Sequence, residues 1–303
     1  MGALVDFGNS IENFSYTEYC ATGAHEYAVV MILHFGTFIY ILNKVTNEYS
    51  WVDRVWSLLP IIFAGHLLYY QDHCQMQTIT LRQKIAFVLI TLWGMRLTYN
   101  YWRKGGYKPG EGEDYRWAYI RKNYPKFLVE LLTFFFTSYY QIILIYWFTA
   151  PIKHAAQPHD LTLIDVFLFG LWILLFAGEI IADQQMWDFQ TTKYQMLAKN
   201  GNDINALPEP YKKGFITDGL FKYSRHPNFF CEISIWWVLF AISVASEGLN
   251  WSGMGAFLLT TLFQGSTALT EKITSEKYPR YKSYQNDVSM LIPMPPKKKV
   301  KDY

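Results

Sequence analysis

Residues 219–245 read GLFKYSRHPNFFCEISIWWVLFAISVA, so a basic loop runs directly into a long apolar stretch. Proline suits the first turn of a helix, because the N–H that it lacks has no intrahelical partner there. We therefore predict a helix that begins near Pro227 and carries the apolar run 229–245. Three potentially cationic side chains stand before it: Lys222, Arg225 and His226. A helix N-terminus with such neighbours favours an anion, and phosphate is a common one.

Six more apolar segments accompany this run, which gives seven in all: 27–42, 55–70, 85–101, 127–149, 161–182, 229–245 and 251–269. Hydrophobic residues make up 51% of the 303, aromatic residues 18% and charged residues only 17%. A soluble protein averages about 25% charged residues. Several segments are short for a membrane helix of ~20 residues, but seven together are not typical of buried soluble helices. The sequence predicts an all-α, polytopic membrane bundle of about seven transmembrane helices.

Lysine and arginine placement predicts the orientation of this bundle. With the N-terminus outside, the inner connections hold 23 of the 27 basic residues and the outer connections hold 3. The remaining one, Arg96, lies inside the third segment. Basic residues mark cytoplasmic loops. We expect a non-cytosolic segment 1–26, a membrane domain 27–295 and a basic cytosolic tail 296–303.

The two ends of the chain bear on targeting. The first 43 residues contain acids but no Lys or Arg, which argues against a signal peptide and against a mitochondrial presequence. Lys299 and Lys301 stand fifth and third from the end, a pattern that resembles the dilysine retrieval signal of the endoplasmic reticulum. A merely basic cytosolic tail is the alternative interpretation. We expect an integral membrane protein of the endoplasmic reticulum or of another organelle.

Three cysteines are too few and too scattered for a zinc site or a disulfide framework, so we expect no metal centre. Cys20 and Cys74 fall on the predicted outer side and can pair if their segments meet. Asn13 begins an N-glycosylation sequon on that side. The net charge of +2 gives no indication of nucleic-acid binding.

Two pairs of polar residues lie near the predicted cytosolic ends of the fifth and sixth segments. Glu179 and Asp183 are four residues apart, and so are Asn228 and Glu232. This spacing puts both members of a pair on one helix face. Ionisable groups in membrane helices are costly and often functional, although hydrogen bonds between packed helices are the plain alternative. We expect the fifth helix to continue into the cytosol until Asn200 and Gly201.

The C-terminal region carries Tyr278, Arg280, Tyr281 and Tyr284 at short intervals. Such side chains can stack on a purine or bind a ribose, and interfacial anchoring explains them equally well. The glycine-rich residues 105–112 follow no strand, so they predict a flexible connector rather than a phosphate-binding loop.

At this point the chain resembles the steroid 5α-reductase superfamily, in the broad branch with an Arg-His-Pro-Asn-Tyr/Phe motif. Four further motifs appear in the same order as in that superfamily, within about residues 50–295: Asp53-Arg54-Val55-Trp56-Ser57, Trp93-Gly94-Met95-Arg96-Leu97, Glu113-Asp114-Tyr115-Arg116 and Glu179…Asp183-Gln184-Gln185. The resemblance implies a seven-helix bundle in which NADPH enters from the cytosol and reduces an activated C=C bond of a lipid-like molecule.

The resemblance also implies roles for individual residues. Asp183, Asn228 and Glu232 match positions that hold the cofactor, and Arg96 matches a basic position near it. Tyr281 or Tyr284 would line the adenine end. Our predicted cofactor-binding set is Arg96, Glu179, Asp183, Tyr223, Arg225, His226, Asn228, Arg280, Tyr281 and Tyr284. We assign the catalytic role to Asp53 and Glu232.

Departures from the superfamily pattern keep two other functions open. Leu58, Trp93 and Gln190 occupy positions where those reductases have glutamate, tyrosine and arginine. A membrane methyltransferase that uses S-adenosylmethionine shares the Arg-His-Pro helix entry, but its paired-acid motif is replaced here by residues 275–277. A non-catalytic accessory subunit with a degenerate pocket is the third possibility. The expected partners are a hydrophobic lipid-like molecule and membrane lipids, and the oligomeric state stays open.

Overall fold

The computed structural model describes residues 16–108, 110, 112–157 and 160–297, and this part of the chain is helical. Among these residues the only β-type pairing is an isolated bridge between Ser224 and Ser289. The helices are α1 (Tyr16–Thr22), α2 (Ala24–Thr46), α3 (Trp51–Val55), α4 (Leu59–His73), α5 (Leu81–Arg103), α6 (Tyr115–Asn123), α7 (Lys126–His154), α8 (Leu163–Lys199), α9 (Pro227–Glu247), α10 (Gly253–Lys277) and α11 (Tyr281–Asp287). The all-α prediction is confirmed, while Asn13, Lys299 and Lys301 lie outside the described residues.

Each predicted apolar segment falls on one helix: α2, α4, α5, α7, α8, α9 and α10. Four helices of the described part are long and apolar enough to cross a bilayer: α2, α7, α8 and α9. Helix α4 has only 15 residues, which is about 22 Å. Charged residues lower the mean hydropathy of α5 and α10. The structure therefore supports a membrane protein, and the count of seven spans and the orientation stay predictions.

Two helix boundaries agree with their local sequence signals. Helix α9 begins at Pro227, as the proline predicts. Helix α8 runs for 37 residues to Lys199, about 55 Å at 1.5 Å per residue. It ends where Gly201 adopts a φ of +64°, a conformation that glycine takes at little cost. The expected extension of the fifth segment is therefore present as continuous helix, and its cytosolic position stays a prediction.

The domain predicted over 27–295 is organised as two compact units. The first contains residues up to 161 together with 243–255, and the second contains 162–242 together with the residues after 255. In the first unit α2 packs on α7, whose residues Leu132–Tyr140 form a π-helix. A Cβ on Gly36 would lie 2.7 Å from the carbonyl oxygen of Ser138. Only a glycine permits the two backbones to approach this closely.

A disulfide joins Cys20 to Cys74 and connects the short helix α1 to the end of α4. The Tyr70 hydroxyl donates to the Cys20 carbonyl at 2.7 Å and strengthens the same contact. The start of α2 and the end of α4 therefore lie together, as the predicted topology requires. Whether the two cysteines would meet was open from the sequence, and the structure brings them together.

We predict that this disulfide is present in protein isolated from membranes. Denatured protein should take up maleimide-polyethylene glycol at Cys231 alone before reduction, because Cys231 is the free cysteine, and at all three cysteines after reduction. Replacing both Cys20 and Cys74 by serine should destabilise the fold by about 2–4 kcal/mol, the typical effect of removing a disulfide. The variant Cys231→Ser is the control and should keep the reduction-dependent shift. Three labels before reduction would contradict the bond.

Candidate functional site

The two predicted polar pairs meet within the second unit. Asn228, in the first turn of α9, donates from Nδ2 to Oδ1 of Asp183 on α8 at 3.2 Å. Glu179 and Glu232 lie one turn deeper on their helices and are 3% and 6% exposed. The Trp236 indole N–H donates to Glu232 at 3.3 Å. One hydrogen bond, between Asn228 and Asp183, therefore joins the two predicted pairs.

A small residue brings α8 and α9 close together at this level. A Cβ on Gly178 would lie 3.0 Å from Sγ of the buried Cys231. Buried carboxylates are stable only where hydrogen bonds or charges replace their lost hydration. Close packing at Gly178 and Cys231 therefore places the acids where an incoming polar group would meet little competing water.

The residues before α9 are held by the C-terminal segment. The backbone N–H of Arg225 donates to Ser289 at 2.8 Å, and that of His226 donates to Met290 at 3.1 Å. The Ser224 hydroxyl donates to the carbonyl of Leu291 at 2.7 Å. These three bonds set the position from which α9 begins.

Arg225 itself is the centre of an ion-pair network. Its Nε and Nη2 donate to the two carboxylate oxygens of Glu271 at 2.5 and 2.9 Å. Its Nη1 donates to the carbonyls of Gln285 and Val288. His226 bonds the same carboxylate at 3.0 Å. The prediction of an open anion site at Arg225 and His226 is therefore corrected, because both side chains are occupied by Glu271.

Glu271 lies in the last turns of α10, past the predicted membrane segment. Burial by itself would raise the pKa of this carboxyl group. Hydrogen bonds from His226, Arg225 and Gln285 outweigh that effect and hold its pKa at about 2. Glu271 therefore carries its negative charge at neutral pH. We call this residue and Arg225 together the Arg225–Glu271 clamp.

Two tyrosines of the C-terminal region pack in the hydrophobic core of the second unit. Tyr281 and Tyr284 are 5% and 1% exposed and pack with Phe215 and Val288. The Tyr281 hydroxyl donates to Glu271 at 3.3 Å, and that of Tyr284 donates to the carbonyl of Phe221. The prediction that they line an adenine site is corrected, because their rings are enclosed by their own core.

Two other members of the predicted set stay accessible. Arg280 is exposed and pairs with Glu209 at 3.0 Å. Tyr223 is 42% exposed, and its carbonyl accepts from the Met294 N–H at 2.9 Å. Arg96 is half-buried on α5 in the first unit.

A second acidic cluster surrounds Asp53, which belongs to the short helix α3 of the first unit. Arg116 donates from Nε and Nη2 to the carboxylate of Asp114 at 2.7 and 3.0 Å. Ser50 accepts the Asp114 N–H at 2.9 Å and hydrogen-bonds the carboxylate of Asp53. Burial and then the charge of Asp114 raise the pKa of Asp53 to about 6. Strongly perturbed acids of this kind concentrate at functional sites.

The glycine-rich segment is attached to this cluster, which corrects the prediction of a flexible connector. The Gly110 N–H donates to Oε1 of Glu48 at 2.6 Å, while Arg54 donates to Oε2 of the same carboxylate at 2.6 Å. Arg54 also donates to the carbonyl of Gly106 at 3.1 Å. From the sequence we identified Asp114 and Arg116 only as parts of a motif, and we did not identify Glu48. Ser50, which accepts from Asp114, and Gly110, which donates to Glu48, lie 64 and 62 residues away from these partners in the chain.

Comparison with known proteins gives a family but no activity. A family model described as "Protein of unknown function (DUF1295)" matches residues 39–288. An uncharacterized protein of Schizosaccharomyces pombe (strain 972 / ATCC 24843) is 36% identical over 287 residues, which covers 88% of this chain and 79% of the relative. No solved structure matches the chain.

We predict that Glu271→Gln destabilises the protein by about 3–5 kcal/mol at pH 7, because it leaves the Arg225 guanidinium buried without its counter-charge. Glu276→Gln, an exposed carboxyl on the same helix, is the matched control and should change little. Thermal unfolding in detergent measures both variants.

The pH dependence of that difference has a definite sign. A lowered folded-state pKa stabilises the fold above the ordinary value of 4.5, and this stabilisation is lost as the pH falls towards about 2. The difference between wild type and Glu271→Gln should therefore narrow below pH 4.5. Equal effects of Glu271→Gln and Glu276→Gln at pH 7 would contradict the clamp.

We predict the opposite behaviour for Asp53. Its raised folded-state pKa means that ionisation costs stability, so the cost develops between pH 3.8 and about 6 and is complete above that. Asp53→Asn should therefore be more stable than wild type by about 1–3 kcal/mol at pH 8 and similar to it at pH 4. The exposed Asp160→Asn is the control. A destabilised Asp53→Asn at pH 8 would show that Asp53 is only a structural partner of Ser50.

Proposed function

We propose that this chain, which belongs to the DUF1295 family, is a membrane-embedded reductase that uses NADPH to reduce an activated C=C bond in a lipid or sterol-like substrate. The observation that carries the proposal is the hydrogen bond between Asn228 and Asp183. It joins two polar pairs beside the start of α9, each with one buried carboxyl group, Glu179 and Glu232. The motifs quoted from the sequence resemble the steroid 5α-reductase superfamily in the same region.

The residues of this cluster fit one part of the cofactor. Carboxylate oxygens accept hydrogen bonds from a ribose diol, and the amide of Asn228 both donates and accepts, which suits a carboxamide. We therefore assign the nicotinamide–ribose end to Glu179, Asp183 and Asn228. When bound there, NADPH would supply the hydride for the reaction.

Because Arg225 is already paired with Glu271, the phosphate end of the cofactor requires other cations. Lys222 is exposed just before α9, and Arg280 is held only by its exposed pair with Glu209. Exposed ion pairs contribute about 0–1 kcal/mol, so Arg280 can exchange Glu209 for a phosphate at little cost. Lys222 and Arg280 are therefore our phosphate ligands, and Arg225 keeps the C-terminal segment in place.

Reduction of a conjugated C=C bond also consumes a proton. The hydride adds to the β-carbon as the π bond breaks, and a proton goes to the α-carbon from an acid of the protein. The acid is left as a carboxylate, which regains a proton from solvent. We assign this role to Glu232, which lies in the same unit as Asp183 and Asn228 and is 6% exposed. Asp53 belongs to the first unit and has a pKa raised to about 6, and its catalytic role stays a prediction from the sequence.

The proposed location is the endoplasmic reticulum, with the Cys20–Cys74 end of α2 and α4 in the lumen. Disulfides form in oxidising compartments and are rare in the cytosol. The predicted distribution of basic residues puts the same end on the non-cytosolic side. The two arguments are independent, since one concerns cysteine chemistry and the other charge.

We predict that NADPH raises the unfolding temperature of the purified protein. Asn228→Leu should weaken NADPH binding roughly 10-fold or more, because it removes the amide that we assign to the cofactor and its half-buried hydrogen bond to Asp183. Asn200→Leu, the same substitution at the exposed end of α8, is the control and should bind normally. Titration of thermal shifts with NADPH measures both.

Three outcomes of this titration separate the candidate functions. Stabilisation by NADPH that Asn228→Leu removes supports the reductase. Stabilisation by S-adenosylmethionine with none by NADPH would identify a methyltransferase and refute the proposal. No response to either nucleotide would favour the accessory subunit.

A further inference from the structure

A cavity of about 560 Å³ opens in the first unit where α1, α2 and α4 meet. Its volume lies within the ~300–1,000 Å³ of typical small-molecule sites. None of the residues assigned to the reductase lines it. The lining residues are Tyr16, Tyr19, Tyr27, Met31, Ile62, Gly65, His66 and Tyr69. We call its four tyrosines, Tyr16, Tyr19, Tyr27 and Tyr69, the tyrosine cage.

The wall of this cavity is fixed by covalent and polar bonds. Helix α1 has only seven residues, and so short a helix is not stable alone. The Cys20–Cys74 disulfide attaches it to α4, and the Tyr16 hydroxyl donates to the carbonyl of His73 at 2.5 Å. These two bonds hold α1, and with it Tyr16 and Tyr19, against α4.

Polar atoms in the wall are already used by the protein. Nε2 of His66 donates to the carbonyl of Ala24 at 2.9 Å, since a carbonyl only accepts. Its Nδ1 is then an acceptor for the Tyr19 hydroxyl at 2.9 Å. The hydroxyls of Tyr16 and Tyr19 are thus engaged within the wall. A ligand in this cavity therefore meets the aromatic rings rather than these two hydroxyl groups.

Charge near the cavity favours a cation. The faces of tyrosine rings carry negative electrostatic potential. The segments 16–31 and 62–74, which supply the lining residues, contain Glu18, Glu26 and Asp72 but no lysine or arginine. Asp72 lies 3.4 Å from His73. Lys153, which reaches this end of the unit, bonds to His25 at 2.8 Å and does not line the cavity.

The apolar part of the lining selects the type of cation. Met31, Ile62 and Gly65 offer no hydrogen-bond acceptors on their side chains. A primary ammonium gains no hydrogen bond from these three residues for its three N–H donors, whereas a quaternary ammonium has no donors to satisfy. Cages of aromatic rings are the usual protein sites for such groups.

We propose that the tyrosine cage binds the trimethylammonium group of a choline phospholipid. The source is a membrane lipid rather than free choline, because the cavity opens beside exposed apolar side chains of α2 and α4. Ile62, which lines the cavity, is 41% exposed, and Val30 on α2 is 39% exposed. The acyl chains lie along these side chains while the headgroup enters the cage. The site is independent of the proposed reductase activity.

The experiment uses full-length protein in a maltoside detergent, which contains no choline. Diacyl lipids with identical short chains and either a phosphocholine or a phosphoethanolamine headgroup are titrated, and binding is followed by native mass spectrometry and thermal shift. The phosphocholine lipid should bind about 10-fold more tightly than the phosphoethanolamine lipid. Free phosphocholine, which has no chains, should bind weakly.

Variants of one cage residue test the role of the rings. Tyr69→Leu should weaken phosphocholine-lipid binding about 5-fold, while Tyr69→Phe keeps the ring and should bind like wild type. Tyr124→Leu is the control, because Tyr124 is 45% exposed and Tyr69 is 47% exposed. If Tyr69→Leu fails to fold, the headgroup comparison on wild-type protein decides alone.

Several results would overturn the proposal. Equal affinity for the two headgroups would show an apolar groove that takes any lipid. Equal binding by Tyr69→Leu and Tyr69→Phe would show that ring faces are not used. Tight binding of free phosphocholine would show that the acyl chains of a lipid are not needed for binding. The response to NADPH is measured separately, so failure here leaves the reductase proposal unaffected.

Discussion

A buried ion pair between Arg225 and Glu271 determines how the second unit is assembled. The desolvation of two such charges is expensive, and it is repaid only where geometry is good and the remaining donors are satisfied. Here Arg225 also binds the carbonyls of Gln285 and Val288, and Glu271 accepts from His226 and Gln285. The pair thereby aligns residues 224–226 with 289–291 and sets where α9 begins. The Asn228–Asp183 contact depends on that position.

The carboxyl groups of Glu271 and Asp53 have pKa values that are shifted in opposite directions. Glu271 is surrounded by cationic and neutral donors, so its pKa falls to about 2 and its charge stabilises the fold. Asp53 is buried and lies close to Asp114, so its pKa rises to about 6 and its charge costs stability. A protein retains a costly group of this kind chiefly where chemistry needs it. This contrast separates a structural carboxylate from a candidate proton donor more clearly than sequence motifs do.

The first unit is held differently at its two ends. Beside Asp53 and the glycine-rich segment the contacts are ion pairs, with Arg54 between Glu48 and the carbonyl of Gly106. Around α1 the contacts are a disulfide and tyrosine hydrogen bonds. Cysteine pairing requires an oxidising compartment, whereas ion pairs do not. The difference agrees with a lumenal end and a cytosolic end of one membrane unit.

The sequence by itself determined the features that depend on neighbours within a few residues. Pro227 predicts the start of α9, Gly201 predicts the end of α8, and the i, i+4 spacing predicts the polar pairs, because helix geometry is local. Tertiary structure decided what depends on distant residues. Arg225 reads as a phosphate ligand until Glu271, 46 residues later, neutralises it. Tyr281 and Tyr284 have the same spacing whether their rings face a purine or Phe215. The raised pKa of Asp53 comes from its burial and from the charge of Asp114, and only folding produces both.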